Sequence, residues 1–361
     1  MDIMSNQVIP VDPPYPVLIG QGLLCHAGEL IREILGDCRI ALITDSNVAS
    51  LYLETVTRSL ETSGYPVSSW VIPAGEASKN MGELSLVLEF LAESGLDRTD
   101  AVIALGGGVV GDLAGFAAGC YLRGIRYVQL PTTLLAAVDS SVGGKCAVDL
   151  AEGKNLAGLF HQPSAVLCDI DCLATLPWPV LADGMAEAVK TAILSGDELF
   201  ALCRRPAEPS VLREIIDRCL TFKGEVVAAD PREQGLRRIL NLGHTPAHAI
   251  ELCSGYTVSH GQAVAMGLVI MARAGEALGW SEPGLTGKIC AVLEHYQLPV
   301  RAPFQAAQLA AAALRDKKRK GTQITLVIPV RIGEWVEKTI PVTELEAVFA
   351  AGLEEFHDCS N

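Results

Sequence analysis

Twenty-two consecutive residues, Ala101 to Leu122, carry a single charge, Asp112. A run that apolar has to be buried, and its length invites reading it as a membrane span. Gly106, Gly107 and Gly108 interrupt it and Asp112 lies inside it, so a buried strand that breaks through a glycine turn into a buried helix describes it better. Hiding both elements takes a large interior. The 361 residues give room for two domains, each with its own core. Half of them are hydrophobic and 19% are charged, which excludes a disordered chain, and the 34 glycines and 19 prolines follow no G-X-Y period, which excludes a collagen-like one.

Around this run, short β-branched or apolar stretches recur between helical patterns: Arg39–Ile43, Ser69–Ile72, Ala101–Leu105, Arg126–Leu130 and Ala165–Cys168. Such alternation predicts βαβ units on a parallel sheet. After Leu176-Pro177-Trp178-Pro179 the texture changes to long Ala- and Leu-rich helical stretches, namely Leu181–Leu194, Val211–Ala229, Gly261–Leu278 and Leu285–His295. A strand pair, Gln323–Ile328 and Glu334–Ile340, follows the basic run 316–320. The expected fold class is therefore α/β with a parallel, Rossmann-like sheet over residues 1–178, joined to a mainly α-helical domain over residues 179–361. There is no internal repeat and no low-complexity tract.

With 28 Lys and Arg against 42 Asp and Glu, a net charge of −14 repels nucleic-acid backbones and anionic membranes. Neither is an expected partner. The eleven cysteines are odd in number and form no C-x-x-C pair, and Met1 to Pro10 has no basic-then-apolar signal pattern. Reduced thiols in a cytoplasmic protein are expected.

Several motifs carry possible chemistry. Gly106-Gly107-Gly108-Val109-Val110-Gly111 fits G-x-G-x-x-G, where glycines let a pyrophosphate approach the backbone and the helix N–H groups face it. A plain strand-to-helix turn is the alternative, and the motif sits on a late strand without the usual acidic ribose partner. Asp45, with Asn47, suits ribose hydroxyls or an adenine edge, or simply a helix N-cap. Lysines beside glycines, at Gly144-Lys145 and Gly153-Lys154-Asn155, suggest an anion site in so acidic a protein, as does Arg123 before Gly124; an ordinary surface is the alternative. Three of the seven histidines, His244, His248 and His260, fall within 17 residues. His244 and His248, four apart, share one helix face, as metal ligands or acid–base groups do. Glu187 stands with Lys190 on a mostly apolar helix, where a lone carboxylate is costly and a metal would relieve the cost. Glu233 and Arg237, four apart, make either an i,i+4 ion pair or, with Lys223, a carboxylate clamp.

Taken in order along residues 40–320, these motifs resemble the 3-dehydroquinate synthase family. The resemblance rests on Pro73 to Lys79, Gly106 to Asp112, Pro131 to Lys145, Gly153 to Asn155, Glu187 to Lys190, Gly235 to Arg237 and Asn241 to His248. It implies an NAD-binding first domain and a metal-binding second domain, NAD together with Zn2+ or Co2+ as cofactors, and a carbon–oxygen lyase reaction on a small sugar phosphate. The family converts 3-deoxy-D-arabino-heptulosonate 7-phosphate to 3-dehydroquinate and phosphate, the second step of the shikimate route to chorismate and the aromatic amino acids. Transient oxidation by NAD, phosphate elimination, reduction, ring opening and an intramolecular aldol make up the sequence.

Residue by residue, the resemblance implies that Glu187, His244 and His260 hold the metal, and that His248 is a proton-moving or phosphate-side group instead. NAD contacts are implied at Asp45, Asn47, Ala74, Gly75, Glu76, Ala77, Ser78, Lys79, Gly107, Gly108, Val109, Val110, Gly111, Asp112, Thr132, Thr133, Cys172, Leu173, Ala174 and Thr175. Asp139, Lys145, Lys154 and Asn155 match positions around nicotinamide and substrate, and Lys190, Lys223, Glu233, Arg237 and Asn241 match substrate positions. Lys317 is the candidate for a late substrate lysine. Arg123 matches an arginine that binds phosphate in a neighbouring subunit, which implies a homodimer. Pro246, Ala247 and Cys146 depart from the family's usual residues and are expected to alter packing around the histidine helix. Two rival readings are another sugar-phosphate cyclase, disfavoured by Arg237, and a glycerol dehydrogenase-type metal-dependent oxidoreductase, which would not need the cluster of Lys145, Lys154, Asn155 and Arg123.

Overall fold

The computed structural model describes residues 2–314 and 319–353. The chain forms two compact units, Met1–Leu181 with Ala207–Arg232, and Ala182–Pro206 with Glu233–Asn361. No single cut at residue 178 produces this division. The Pro209–Ala229 helix, expected in the second domain, packs in the first unit: Asp217 accepts hydrogen bonds from Ser5 and Gln7, and Gly224 faces Ile9. Its apolar stripe, including Val211, Ile215 and Cys219, is buried. Periodicity reveals such a stripe without saying which core receives it.

The first unit is built on a seven-stranded sheet of order β1-β2-β9-β6-β5-β3-β4. Its strands are β1 (Asp2–Ile9), β2 (Tyr15–Gln21), β3 (Ile40–Asp45), β4 (Val67–Ile72), β5 (Ala101–Gly106), β6 (Arg126–Pro131) and β9 (Ala165–Asp169). Only β1 is antiparallel to its neighbour. The five expected strands all form, each within two residues of the expected bounds; β1 and β2 lie outside that reading. Strand β5 is buried throughout, as a strand covered on both faces must be. Ile103 and Leu105 pack with Leu30, Ile31 and Leu42 on one face; Val102 and Ala104 pack with Val110, Leu113 and Ala117 on the other. Parallel strands deliver their C-terminal ends to one edge, and there β3 ends in Asp45, β5 in Gly106 and β6 in Pro131. A hairpin, β7 (Lys145–Leu150) with β8 (Gly153–Phe160), follows. It was not expected from the sequence, and it carries Lys145, Lys154 and Asn155.

Just after the hairpin, His161 stacks on Tyr127 with ring centroids 5.1 Å apart, and its Nε2 lies 2.8 Å from the Ile125 carbonyl. Burial pushes this imidazole below its ordinary value, although the carbonyl pulls the other way. A histidine so depressed binds fewer protons folded than unfolded, so acid favours the unfolded chain as pH falls below about 6.5. The wild type is expected to lose more stability than His161→Gln between pH 7 and pH 5 in urea titrations. Equal losses would contradict the assignment.

The second unit gathers helices around Ala182 to Ser195, His244–Cys253, His260–Ala277 and Leu285–His295. It also holds an antiparallel sheet, β10 (Arg319–Lys320), β11 (Gln323–Arg331) and β12 (Glu334–Pro341). Two glycines set the spacing of the helices that matter for the site. A Cβ at Gly261 would stand 2.3 Å from the Asp183 Cα, and one at Gly267 would stand 2.1 Å from the Gly243 carbonyl oxygen. The His260–Ala277 helix thus touches both its partners backbone to backbone. Pro246 occupies the first turn of the His244–Cys253 helix, where a missing N–H costs no intrahelical bond. The helix continues through it without a break. Gly267→Ala is expected to cost about 1–3 kcal/mol by overpacking and to weaken divalent-metal binding, as read by thermal unfolding and metal titration. Unchanged metal affinity would contradict a spacing role.

Candidate active site

In the second unit, one carboxylate and two imidazoles converge. Glu187, on the Trp178–Ser195 helix, has no solvent exposure. Its Oε1 lies 3.0 Å from His260 Nε2 and 3.4 Å from His244 Nε2. The other oxygen pairs with Lys190, one helical turn on and 2% exposed. Burial alone would raise the Glu187 carboxyl, but Lys190 and the two histidines hold it well below the usual carboxylate range. His244 donates its Nδ1 proton to the Leu242 carbonyl, 3.1 Å away. Burial depresses its imidazole to about 4 against the opposing pull of Glu187, which leaves a neutral ring.

His260 behaves differently. Burial would lower it, yet its contacts with Glu187 and Glu251 raise it to about 10. Two buried carboxylates thus demand positive charge at this point. One ligand atom from each of Glu187, His244 and His260 falls within 4.8 Å of the others. A carboxylate with two imidazoles at that spacing fits zinc or cobalt, and a divalent cation would meet the same demand for charge. His248, four residues along from His244, stands edge-on to it at 5.5 Å and does not belong to the three-residue group.

The first unit assembles a second cluster from three sequence motifs. Lys79, 5% exposed, pairs with Asp112 Oδ2 at 2.5 Å and lies 4.0 Å from Glu76. Lys154 lies 3.8 Å from Glu76. Asp149 joins them: its N–H donates to the Lys79 carbonyl, and its carboxylate accepts from the Asn155 N–H at 2.7 Å. Burial drives Asp112 upward, Lys79 countering it, while Asp112 and Glu76 outweigh burial at Lys79 and raise it. Beside this group the Gly108–Cys120 helix has Gly107 at its N-cap position and no side chain capping it, so its first N–H groups remain available to an anion. A Cβ at Gly107 would meet Thr133 at 3.0 Å, and one at Gly108 would meet Ser140 at 3.2 Å. Thr132 is buried with an Oγ1 that has no hydrogen-bond partner. A glycine cradle, an uncapped helix terminus and an unpartnered hydroxyl together fit a dinucleotide's phosphates.

Asp45 caps the helical turn after β3, accepting from the N–H groups of Asn47 and Val48. Ala74, Gly75, Ala77 and Ser78 belong to the loop after β4, with Ser78 buried and bonded to the Pro73 carbonyl. Cys172, Leu173, Ala174 and Thr175 form one 3-10 turn, with Thr175 bonded to Tyr52 at 2.6 Å. Lys223, on the Pro209–Ala229 helix, donates to the Asp139 carbonyl at 2.6 Å and pairs with its carboxylate. Lys145 is exposed at the start of β7.

In the second unit, Glu233 has a left-handed backbone (φ +56°) and accepts from Asn241 Nδ2 at 2.6 Å. Residues 233–235 are not helical, so an i,i+4 pair of Glu233 with Arg237 on a helix does not apply. Arg237 is 2% exposed. Arg123, in the first unit, is exposed, and Leu122 and Arg123 both hold positive φ before Gly124. Such strain in non-glycine residues persists where surroundings impose it. Lys317 lies outside the described residues. Sequence reasoning missed Asp149 as the bridge of the first unit's cluster and Glu251 beside His260. Glu251 stands seven residues, two turns, after His244, a spacing that could have flagged it.

A parallel α/β unit with an uncapped glycine cradle, and a helical unit with a carboxylate–bis-histidine group, define a class of metal-dependent enzymes built on a nucleotide-type sheet. Two solved structures share this fold: 2-deoxy-scyllo-inosose synthase complexed with carbaglucose-6-phosphate, NAD+ and Co2+, and 2-epi-5-epi-valiolone synthase from Streptomyces hygroscopicus with NAD+ and Zn2+. The first aligns with a TM-score of 0.86 and 24% identity over 97% of this chain and 100% of that one. The second aligns with a TM-score of 0.85 and 28% identity over 94% and 96%. The models of the 3-dehydroquinate synthase N-terminal and C-terminal domains match residues 69–182 and 184–319. A 3-dehydroquinate synthase of Symbiobacterium thermophilum is 46% identical over 332 residues, 89% of this chain and 93% of that protein. The chain belongs to the 3-dehydroquinate synthase family.

Lys79→Ala is expected to cost about 3 kcal/mol by stranding the Asp112 charge, and the double variant Lys79→Ala/Asp112→Ala to cost less than the sum of the single losses. Urea unfolding of the four proteins tests this. Additive losses would contradict a coupled pair.

Proposed function

We infer that this chain is a 3-dehydroquinate synthase, converting 3-deoxy-D-arabino-heptulosonate 7-phosphate to 3-dehydroquinate and phosphate. The observation that carries this reading is membership of the family across both halves of the chain, with Glu187, His244 and His260 within 4.8 Å of one another. When bound, NAD accepts and returns a hydride, and Zn2+ or Co2+ polarises the hydroxyl that is oxidised. The first unit, with its glycine cradle and Lys79–Asp112 cluster, is assigned to NAD, and the second to the metal.

The chain's own residues do the positioning. Lys190 holds the Glu187 carboxylate charged and oriented. The Leu242 carbonyl occupies His244 Nδ1, which turns Nε2 toward Glu187. Lys223 and Asp139 hold one another, so both charges survive in a partly buried place and stay available to a polar substrate. Asn241 fixes Glu233 in its left-handed corner. Arg237, nearly inaccessible, is assigned to a substrate carboxylate, whose two oxygens match the planar fork of guanidinium donors. That favours a carboxylated sugar phosphate over the carboxylate-free substrates of other cyclases. His248, beside His244, is assigned proton movement, and Lys145, Lys154 and Asn155 the reacting end of the substrate. The strained, exposed corner at Arg123 supports a homodimer in which this guanidinium serves a neighbouring subunit. The ten cysteines among the described residues are all thiols, consistent with a cytoplasmic enzyme.

The decisive assay measures phosphate released from 3-deoxy-D-arabino-heptulosonate 7-phosphate with NAD below the substrate concentration. Many turnovers per NAD, no accumulating NADH and loss of activity with chelator are expected. Stoichiometric NADH formation would point to a net oxidoreductase instead.

A further inference from the structure

The two ring nitrogens of His260 face different carboxylates. Nε2 points at Glu187 Oε1, 3.0 Å away, on the side shared with His244 Nε2. Nδ1 points at Glu251 Oε1, 3.5 Å away, on the other. Glu251 is 2% exposed, and a carboxylate that deeply placed is not retained without a charged or hydrogen-bonded neighbour. The Glu187–His244–His260 group does not include it.

We propose that Glu251 is a positioning residue for the metal centre: its carboxylate accepts the Nδ1 proton of His260 and so presents the Nε2 lone pair to the ion. This deepens, and rests on, the assignment of Glu187, His244 and His260 as ligands. His244 supports it by analogy within the same site. Its Nδ1 is occupied by the Leu242 carbonyl at 3.1 Å, and its Nε2 faces Glu187. Both imidazoles are therefore tied at Nδ1 and converge through Nε2 on one oxygen. The acceptors differ, since a carboxylate behind His260 makes that ring the more basic ligand. The placement also couples the two histidines: Glu251 rides on the His244–Cys253 helix, two turns from His244, while His260 opens the next helix. A single rigid helix thus supplies one ligand and orients the other.

The test uses the full-length chain, stripped of metal and titrated with Co2+ against a chromophoric chelator. Glu251→Ala is expected to weaken Co2+ binding 10- to 100-fold and to alter the visible Co2+ absorption, with Glu251→Gln falling between it and the wild type. Long-range 15N–1H NMR of the Zn2+-loaded wild type is expected to show His260 protonated at Nδ1 and metallated at Nε2. Wild-type Co2+ affinity in Glu251→Ala, with only the melting temperature lowered, would assign the residue a purely structural role and overturn the proposal. Should Glu251→Ala fail to fold, the wild-type spectrum decides: a proton on Nε2 overturns the proposal and one on Nδ1 upholds it. A wild type that binds no Co2+ would overturn the metal assignment itself, and the role of Glu251 with it.

Discussion

A fully buried carboxylate, Glu187, sits at the centre of the second unit. Left alone in an apolar helix, an ionised carboxylate costs several kilocalories per mole, and removing one partner from a buried charge pair costs about 3–5 kcal/mol. The surroundings are arranged accordingly: Lys190 one turn away, two imidazoles from two other helices, and glycines that let those helices approach at backbone distance. Each component is needed because the others are present. An incomplete version of this cluster would be worse than an apolar core.

The first unit meets a different constraint in the same way. A parallel sheet covered on both faces exposes polar backbone only where its strands end, so motifs at β3, β5 and β6 gather along one edge. There the Lys79–Asp112 pair, flanked by Glu76, Lys154 and Asp149, holds charge in partly buried surroundings. The uncapped start of the Gly108–Cys120 helix supplies donors without any side chain.

Much of this was legible in the residues, and some was not. Apolar runs bounded by glycine and proline located the central strands to within two residues, because burial on both faces forces such runs. The antiparallel β1 and the β7–β8 hairpin escaped, since half-exposed strands with mixed residues carry a weak period. Helical spacing paired His244 with His248, whereas the structure brings His244 together with His260, a residue from another helix; the pairing with His260 came from resemblance alone. Local periodicity can place side chains on one face but cannot say which helices cross. For the same reason the Pro209–Ala229 helix was assigned by sequence neighbourhood and lies instead in the first unit. Lys317 falls outside the described residues, so its role rests on resemblance.

The central claim is that Glu187, His244 and His260 hold one divalent ion in a chain whose other unit holds NAD. Crystals grown with NAD and Zn2+, measured on both sides of the zinc absorption edge, test it most directly. The account predicts one strong anomalous peak within bonding distance of a Glu187 carboxylate oxygen and of Nε2 in both His244 and His260, with dinucleotide density at the Gly107–Gly108 turn. An anomalous peak elsewhere, or zinc bound through His248 in place of His260, would contradict it.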